Sequence, residues 1–548
     1  MGNRFINDQE NIVSEAIDGL ILSSSHLARL DAYPDIKVVT LKSWEKDKHG
    51  NKQVALISGG GAGHEPAHAG FVGEGLLTAA VSGEIFASPS VDAILAAIRA
   101  VTGDAGCLLI IKNYTGDRLN FGLAAEIAKS HYGLDVEMVI VGDDCAIDTK
   151  QPRGLAGTLL IHKIAGALAA QGAPLSEITA LASEVATQIA TIGLSLSNCN
   201  MPGSEPKERI KPGEMELGLG IHGEPGASTL KLQQASKLVD LMLERLAPRI
   251  PNEGELLAFV NGLGAVPPME LSLLTRDLLG THLGSRISLL LGPSELMTSL
   301  DMNGVSLSVL PLSKKVKQLL QYKVTSPFWH LTEDPQLDLL PCPEHEGMTF
   351  DRSSDLVTEK VIKHVCEVLI SKKDELNDLD FKVGDGDAGT TFSLAAKRVL
   401  EHLPSFPLKE PKNLSLAIGQ LLASAGGSSG VLLSIFFTAV GKHLAVEGNW
   451  NRAALQAGIE AMSHYGGAKL GDRTMLDAMI PAIEHLDKGL SAALAAAKEG
   501  YEKTKSIEST ESGRSSYLSA DKLKGFPDPG AAAVVYTFEA ICAAIGTA

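Results

Sequence analysis

From residue 52 to residue 311 the chain alternates short apolar runs with longer segments of helical spacing. The runs 54–57, 108–111, 136–141, 256–260 and 287–291 have the length of buried strands, and most are followed closely by Gly, Asn or Asp. Segments 93–100 and 156–169 are spaced as helices. This β-then-α order predicts an open α/β sheet, whose ligands sit beyond the carboxyl ends of its strands. The region is long enough for two such sheets, with a split near residue 195, where Ser and Asn interrupt the pattern at 194–201. Residues 331–353 carry three prolines and no periodicity. They predict a linker of on the order of 70 Å reach between a first domain, 1–330, and a second, 354–548.

In the second domain Ser354-Asp355 offers an N-cap to a helix with an apolar stripe at Val357, Val361, Val365 and Leu369. Segments 414–423, 431–440, 453–462, 475–486, 490–505 and 531–545 are rich in Ala and Leu at helical spacing, and strand signals are scarce. The expectation is an all-helical domain of roughly six to eight helices.

Composition narrows the partners. The 548 residues include 48 Lys+Arg against 65 Asp+Glu, a net charge of −17, which repels nucleic acid and anionic lipid. The six cysteines are scattered with no C-x-x-C pair, as expected of small core residues in a reducing compartment. No signal-peptide pattern opens the chain and no apolar run approaches the roughly 20 residues of a membrane span, so the expected location is cytoplasmic.

Three chemistries compete for the run Ser58-Gly59-Gly60-Gly61-Ala62-Gly63-His64-Glu65-Pro66-Ala67-His68. Its glycines suit a phosphate cradle, its H-E-x-x-H spelling suits zinc, and the whole suits a small-molecule pocket with an acid–base histidine. Pro66 disfavours helix at Glu65 and is at home at a first helical position. A helix starting at Pro66 leaves His64 in the preceding loop, so the two histidines do not share a helical face as zinc requires. Downstream, Lys112-Asn113-Tyr114-Thr115-Gly116-Asp117 follows a strand, where Asp117 is either a turn former or a proton acceptor. Gly218-Leu219-Gly220-Ile221-His222-Gly223 spells G-x-G-x-x-G but lacks the flanking strand and long helix of a dinucleotide site. It leaves His222 among glycines, either structural or a nucleophile toward a ketone or aldehyde carbon.

In the second domain Asp380, Asp385 and Asp387 surround a Gly-rich turn. They read as ligands of a hard cation such as Mg2+ or as a solvated acidic turn. Gly389-Thr390-Thr391 would open a helix whose free N–H groups face an anion. Gly426-Gly427-Ser428-Ser429-Gly430 precedes another helix and suits either a phosphate or a helix–helix turn. Gly471-Asp472-Arg473-Thr474-Met475 and Asp528-Pro529-Gly530 are further loop-to-helix junctions. There is no G-x-x-x-x-G-K-[ST], so any ATP here is not held by a P-loop.

Together these motifs resemble the dihydroxyacetone kinase family, in its single-chain ATP-dependent form, over nearly the whole chain. Segments 58–68, 112–121 and 218–226 look like the family's substrate-binding domain, and 380–391, 426–430, 471–475 and 528–530 like its nucleotide-binding domain. The resemblance implies ATP-dependent phosphorylation of dihydroxyacetone to dihydroxyacetone phosphate, with D-glyceraldehyde as a second carbonyl substrate. It implies that His222 holds the ketone as a covalent hemiaminal and that His64 and Asp117 are the acid–base pair. Gly61, Ala62, Gly63 and Lys112 line the substrate with them. By the same resemblance Asp380, Asp385 and Asp387 bind Mg2+. Ala388, Gly389, Thr390, Thr391, Ser428, Ser429, Gly466, Met475, Arg514, Asp528, Pro529 and Gly530 bind the nucleotide.

The implied fold is an α/β region of two open-sheet subdomains followed by an eight-helix barrel, in a homodimer. This sequence departs from the commonest spelling at Ala62, where a Ser hydroxyl is usual, and at Ala388, where a larger residue is usual. Two other readings compete, a carbonyl-sugar-binding regulatory protein and a zinc hydrolase through His64 and His68. The presence of His222 with all three aspartates speaks against the first. Animal relatives add an FAD-cleaving side activity.

Overall fold

The computed structural model describes residues 4–31, 36–44, 53–204, 209–343, 347–423, 427–445, 448–507 and 523–546. The chain divides into two compact units, Met1–Leu339 and Leu340–Ala548.

The first unit holds two sheets. The first has the order β1-β2-β4-β3-β5-β6, from β1 (Leu27–Arg29), β2 (Lys37–Leu41), β3 (Ala55–Ala62), β4 (Ala79–Ile85), β5 (Cys107–Lys112) and β6 (Val136–Val141). Strands β4, β3, β5 and β6 run parallel, and β1 and β2 extend the sheet antiparallel. Alternation assigns the side chains to two cores. Leu56, Leu108 and Ile110 face one, and Ile57, Leu109 and Ile111 face the other. Helices α2 (Val91–Val101) and α3 (Thr115–Tyr132) cover the second of these faces, whereas α1 (Ile12–Leu22), α4 (Thr158–Ala170) and α5 (Leu175–Ala186) contribute to the first. Helix α4 is apolar nearly all round and almost wholly buried, as a helix inside a core must be.

The second sheet has the order β13-β11-β10-β12-β7-β8-β9. Its strands are β7 (Ala190–Ser195), β8 (Glu214–Leu217), β9 (Ser228–Lys231), β10 (Leu256–Gly262), β11 (Ile287–Ser294), β12 (Gly304–Pro311) and β13 (Leu331–Glu333). Only β10 and β11 pair parallel. Helices α6 (Ala235–Leu246) and α7 (Pro268–Leu279) pack on one face. The other face gives Leu257, Phe259, Leu289 and Leu291 to the core that holds α4 and, from α8 (Lys314–Leu320), Leu319 and Leu320. One hydrophobic core is thus shared by both sheets.

Two sequence expectations shift. The split near 195 falls too late, because β7 already pairs with β12 inside the second sheet; an apolar strand carries no mark of which sheet it joins. The linker also starts later than 331, since Leu331 pairs with Leu291 and adds β13 as an edge strand.

The second unit is helical, with nine α-helices among the described residues. They are α9 (Leu356–Ser371), α10 (Lys373–Val383), α11 (Ala388–His402), α12 (Pro411–Ala423), α13 (Gly427–His443), α14 (Arg452–Gly466), α15 (Leu476–Glu484), α16 (Leu490–Thr504) and α17 (Pro529–Ile545). Each of α11 through α17 packs on the next, and α17 and α11 both pack on α9, which closes a ring of eight; α10 lies against α11 and α17. Caps set several starts. Asp355 accepts from Thr358 N at 2.7 Å, Asn451 from Ala454 N at 2.9 Å, and Asp528 from Ala531 N at 2.7 Å. Of the stripe expected on α9, Leu369 packs in the core, joined by Ile362, Cys366 and Ile370 rather than by Val357, Val361 and Val365. Among the described residues no helix is long and apolar enough to cross a membrane.

Candidate active site

The glycine run of 58–63 is strand as far as Ala62, not a loop, and lies in the centre of the first sheet between β4 and β5. A Cβ on Gly60 would lie 2.8 Å from Lys112 Nζ and 3.5 Å from Asp117 Oδ2. Lys112 ends β5 and Asp117 sits in the first turn of α3, both buried. The missing side chain at Gly60 therefore leaves room beside the Lys112 amine and the Asp117 carboxyl. Burial lowers the Lys112 pKa, opposed by Asp117 and Asp143.

His64 follows the strand and is fully buried. Its Nδ1 lies 2.8 Å from the Thr298 carbonyl and its Nε2 3.1 Å from His222 Nε2. Burial, then the charges of Lys112 and His222, hold its pKa well below the usual histidine value, despite the Thr298 contact. Phe86, at φ +56°, stacks on His64 with ring centroids 5.3 Å apart. Tyr114 meets His222 edge-on at 4.3 Å. On the far side of His222, Nδ1 lies 3.4 Å from Glu224 Oε1, and its backbone N–H donates to Glu224 Oε2 at 2.9 Å. Burial pushes the Glu224 carboxyl up, but hydrogen bonds and the charge of His222 outweigh it and hold its pKa at about 2. Arg153 bonds Asp144 and the Gly218 carbonyl at 2.7 and 2.8 Å, tying down the loop that carries His222.

These contacts fix the hydrogens. Nδ1 of neutral His64 must donate to a carbonyl, so its Nε2 is a bare lone pair. The hydrogen between the two Nε2 atoms then belongs to His222, whose Nδ1 also donates, to a carboxylate. Both nitrogens of His222 then face acceptors, the His64 lone pair and the Glu224 carboxylate.

The structure brings His64 and His222 together, and Lys112 and Asp117 together over Gly60. The backbone donor at Gly63 is already taken by the Glu65 carboxylate at 3.1 Å. No α-helix starts at Pro66; a turn leads into a 3-10 helix at Ala69–Phe71. The rings of His64 and His68 engage different partners, His222 and Lys112. The zinc spelling therefore does not form a two-histidine face, and the zinc-hydrolase alternative loses its geometric basis.

In the second unit, carboxylate oxygens of Asp380, Asp385 and Asp387 lie within 4.8 Å of one another. Three such oxygens suit a hard cation. Asp380 is not in the turn but on the last turn of α10, and its Oδ2 accepts from Asp387 N at 2.9 Å and Ala388 N at 3.1 Å. Asn377 accepts from Thr390 N at 3.0 Å and donates to Thr390 Oγ1 at 3.1 Å. The amides of Ala388 and Thr390 at the start of α11 are thus taken by side chains of α10, where the sequence reading has them face an anion.

A pocket with about 980 Å3 of non-atom space, some of it open solvent, lies alongside. Ala388, Thr391, Ser429, Gly466, Met475, Asp528, Pro529 and Gly530 line it with Asp380 and Asp387. Gly389 instead packs against the Lys373 carbonyl. Ser428 falls in the first turn of α13, not in a loop before it, and its side chain lies outside the described residues, as does Arg514. Burial raises the Asp528 carboxyl to about 7.

Sequence reasoning assigned no role to Tyr114, Glu224, Arg473 or Phe86. The first three lie inside motifs it singled out, and a carboxylate two residues from a lone histidine was a usable signal. Phe86 had none. Arg473 is fully buried at φ +56°, donates to the Phe526 carbonyl at 2.7 Å and lines the pocket.

A buried histidine pair with Lys112 and Asp117 in one unit, and a carboxylate cluster beside a pocket in the other, fit the class of a two-unit phosphotransferase. The Dak1 domain family matches residues 18–328 and the DAK2 domain family residues 382–543. The chain is 45% identical to the dihydroxyacetone kinase of Citrobacter freundii over 99% of both chains. It is 38% identical to the triokinase/FMN cyclase of Homo sapiens over 98% of both. The crystal structure of the C. freundii dihydroxyacetone kinase in complex with AMP-PNP and Mg2+ matches with TM-score 0.76 and 43% identity, covering 99% of this chain and 100% of that one. The chain belongs to the dihydroxyacetone kinase family and is a kinase with an alcohol acceptor.

Proposed function

We propose that the protein phosphorylates a terminal hydroxyl of dihydroxyacetone with ATP, the ketone being held as a hemiaminal on His222. The observation that carries this reading is the 3.1 Å pairing of the two Nε2 atoms with Glu224 behind His222. The Nε2 proton of His222 passes to the bare Nε2 of His64. The freed lone pair attacks the ketone carbon, the C=O π pair moves to oxygen, and His64 returns the proton there as O–H. His64 ends neutral and His222 ends as an N-alkylated imidazolium still facing Glu224. No net charge enters the buried site.

With the carbon tethered, the terminal hydroxyl gives its proton to Asp117 while its oxygen bonds the γ-phosphorus and the bond to the ADP oxygen breaks. The adjacent Lys112 ammonium opposes the charge that develops on the attacking oxygen. Asp380, Asp385 and Asp387 fit Mg2+, which when bound supplies charge neutralisation at the nucleotide phosphates. The pocket of the second unit takes the nucleotide. D-glyceraldehyde, with a comparable carbonyl, is a second substrate in this reading, and the working protein is a homodimer.

The test is ADP release with Mg2+-ATP and dihydroxyacetone, D-glyceraldehyde or glycerol, for the protein and its His222→Ala variant. The two carbonyl compounds should turn over far faster than glycerol, and the variant should lose that preference. Glycerol turning over as fast as the ketone would refute the hemiaminal.

A further inference from the structure

Behind Lys112 runs a chain of buried polar groups, His68, Ser58 and His162, that the reaction as described does not use. Lys112 Nζ lies 2.6 Å from His68 Nε2. His68 Nδ1 lies 3.4 Å from Ser58 Oγ, which donates to the Ile110 carbonyl at 2.6 Å. His162 Nε2, from α4, lies 3.0 Å from the same Ser58 Oγ. Every member is buried, so each hydrogen must have a place.

Donors and acceptors settle in one pattern. An ammonium only donates, so His68 Nε2 is a lone pair and its hydrogen sits on Nδ1, toward Ser58. The Ser58 hydrogen is committed to Ile110, so Ser58 Oγ accepts from His162 Nε2–H. His162 Nδ1 is then a lone pair, consistent with its having no hydrogen-bond partner. The pattern is anchored at a backbone carbonyl of β5, the strand that carries Lys112.

We propose that His68 is a positioning residue for phosphoryl transfer: its Nε2 takes one Lys112 N–H and so holds the ammonium over Gly60 beside Asp117, with its other hydrogens toward the reacting hydroxyl. This inference rests on the kinase reading above. A histidine serves because its second nitrogen is tied down through Ser58, so the acceptor cannot rotate away. Burial lowers the pKa of Lys112 and also keeps His68 neutral, so the accepting lone pair persists beside an ammonium that burial disfavours. The charged or titratable groups around Lys112 are Asp117 on α3, Asp143 after β6, His64 and His68 after β3, and His162 on α4.

The test compares His68→Gln, which keeps an acceptor near the Nε2 position, with His68→Leu, which fills the space without one. ADP release with dihydroxyacetone is measured against pH, and the Lys112 titration is followed by NMR of [13Cε]lysine-labelled protein, assigned with Lys112→Arg. Removing the acceptor destabilises the charged lysine, so in His68→Leu the Lys112 pKa and the alkaline limb of the rate profile should both move to lower pH. Its kcat should fall on the order of 10- to 100-fold, the loss expected for a hydrogen bond to a buried charge. His68→Gln should restore most of both. Equal impairment of the two variants, or an unmoved Lys112 titration in His68→Leu, overturns the inference. Wild-type protein without ketone-dependent ADP release overturns the kinase reading instead, and the NMR titration reports on the His68–Lys112 link even then.

Discussion

Glu224 shows how one carboxylate can decide the chemistry of a neighbouring ring. In the proposed mechanism its Nδ1 contact keeps a proton on that side of His222 and directs nucleophilic reactivity to Nε2, and its charge balances the imidazolium formed on attack. Glu224→Gln preserves size and an acceptor but removes the charge. Its kcat/KM for dihydroxyacetone should fall on the order of 100-fold, as for a buried charge deprived of its partner; ADP-release kinetics check this, and a loss under about 3-fold would assign Glu224 to orientation alone. At this scale the sequence singled out His64, Asp117 and His222 through the motifs that carry them. It was silent on Phe86, because an aromatic wall is set by the path of the backbone across the sheet and leaves no local pattern.

Strands and helices were legible where one periodicity dominated, and less so where two elements compete for the same residues. The strand run 54–57 continues through three glycines to Ala62, which strand propensity argues against. Pairing with β4 and β5 on both sides overrides it. The glycines are required by proximity: a Cβ on Gly59 would sit on the Val81 carbonyl of β4. Gly59→Ala should therefore destabilise the first unit by about 2 kcal/mol or more through overpacking, measured by urea unfolding; a change under about 0.5 kcal/mol would mean that β4 yields easily. Helix α10 was hidden for a different reason. Its stretch of Asp, Glu and Lys buries Leu376, Asp380 and Val383, too few apolar positions to announce a helix.

For the whole molecule, the change from alternating strands to Ala- and Leu-rich helices located the two units, while sheet membership and the closing of the helical ring depended on contacts far apart in sequence. Separate cores imply separate ligand responses. In scanning calorimetry Mg2+-ATP should raise the unfolding transition of the second unit and dihydroxyacetone that of the first; one transition that moves with both ligands would mean the units unfold together. The paired histidines carry a consequence on the same scale. In the proposed hemiaminal route the site's proton count and net charge are the same with the ketone bound or free, so uptake of substrate by that route needs no proton from the medium and releases none to it. By that route the carbonyl would load and unload without any ionisation heat from the surrounding buffer, and calorimetric binding enthalpies should be the same in buffers of different ionisation heat.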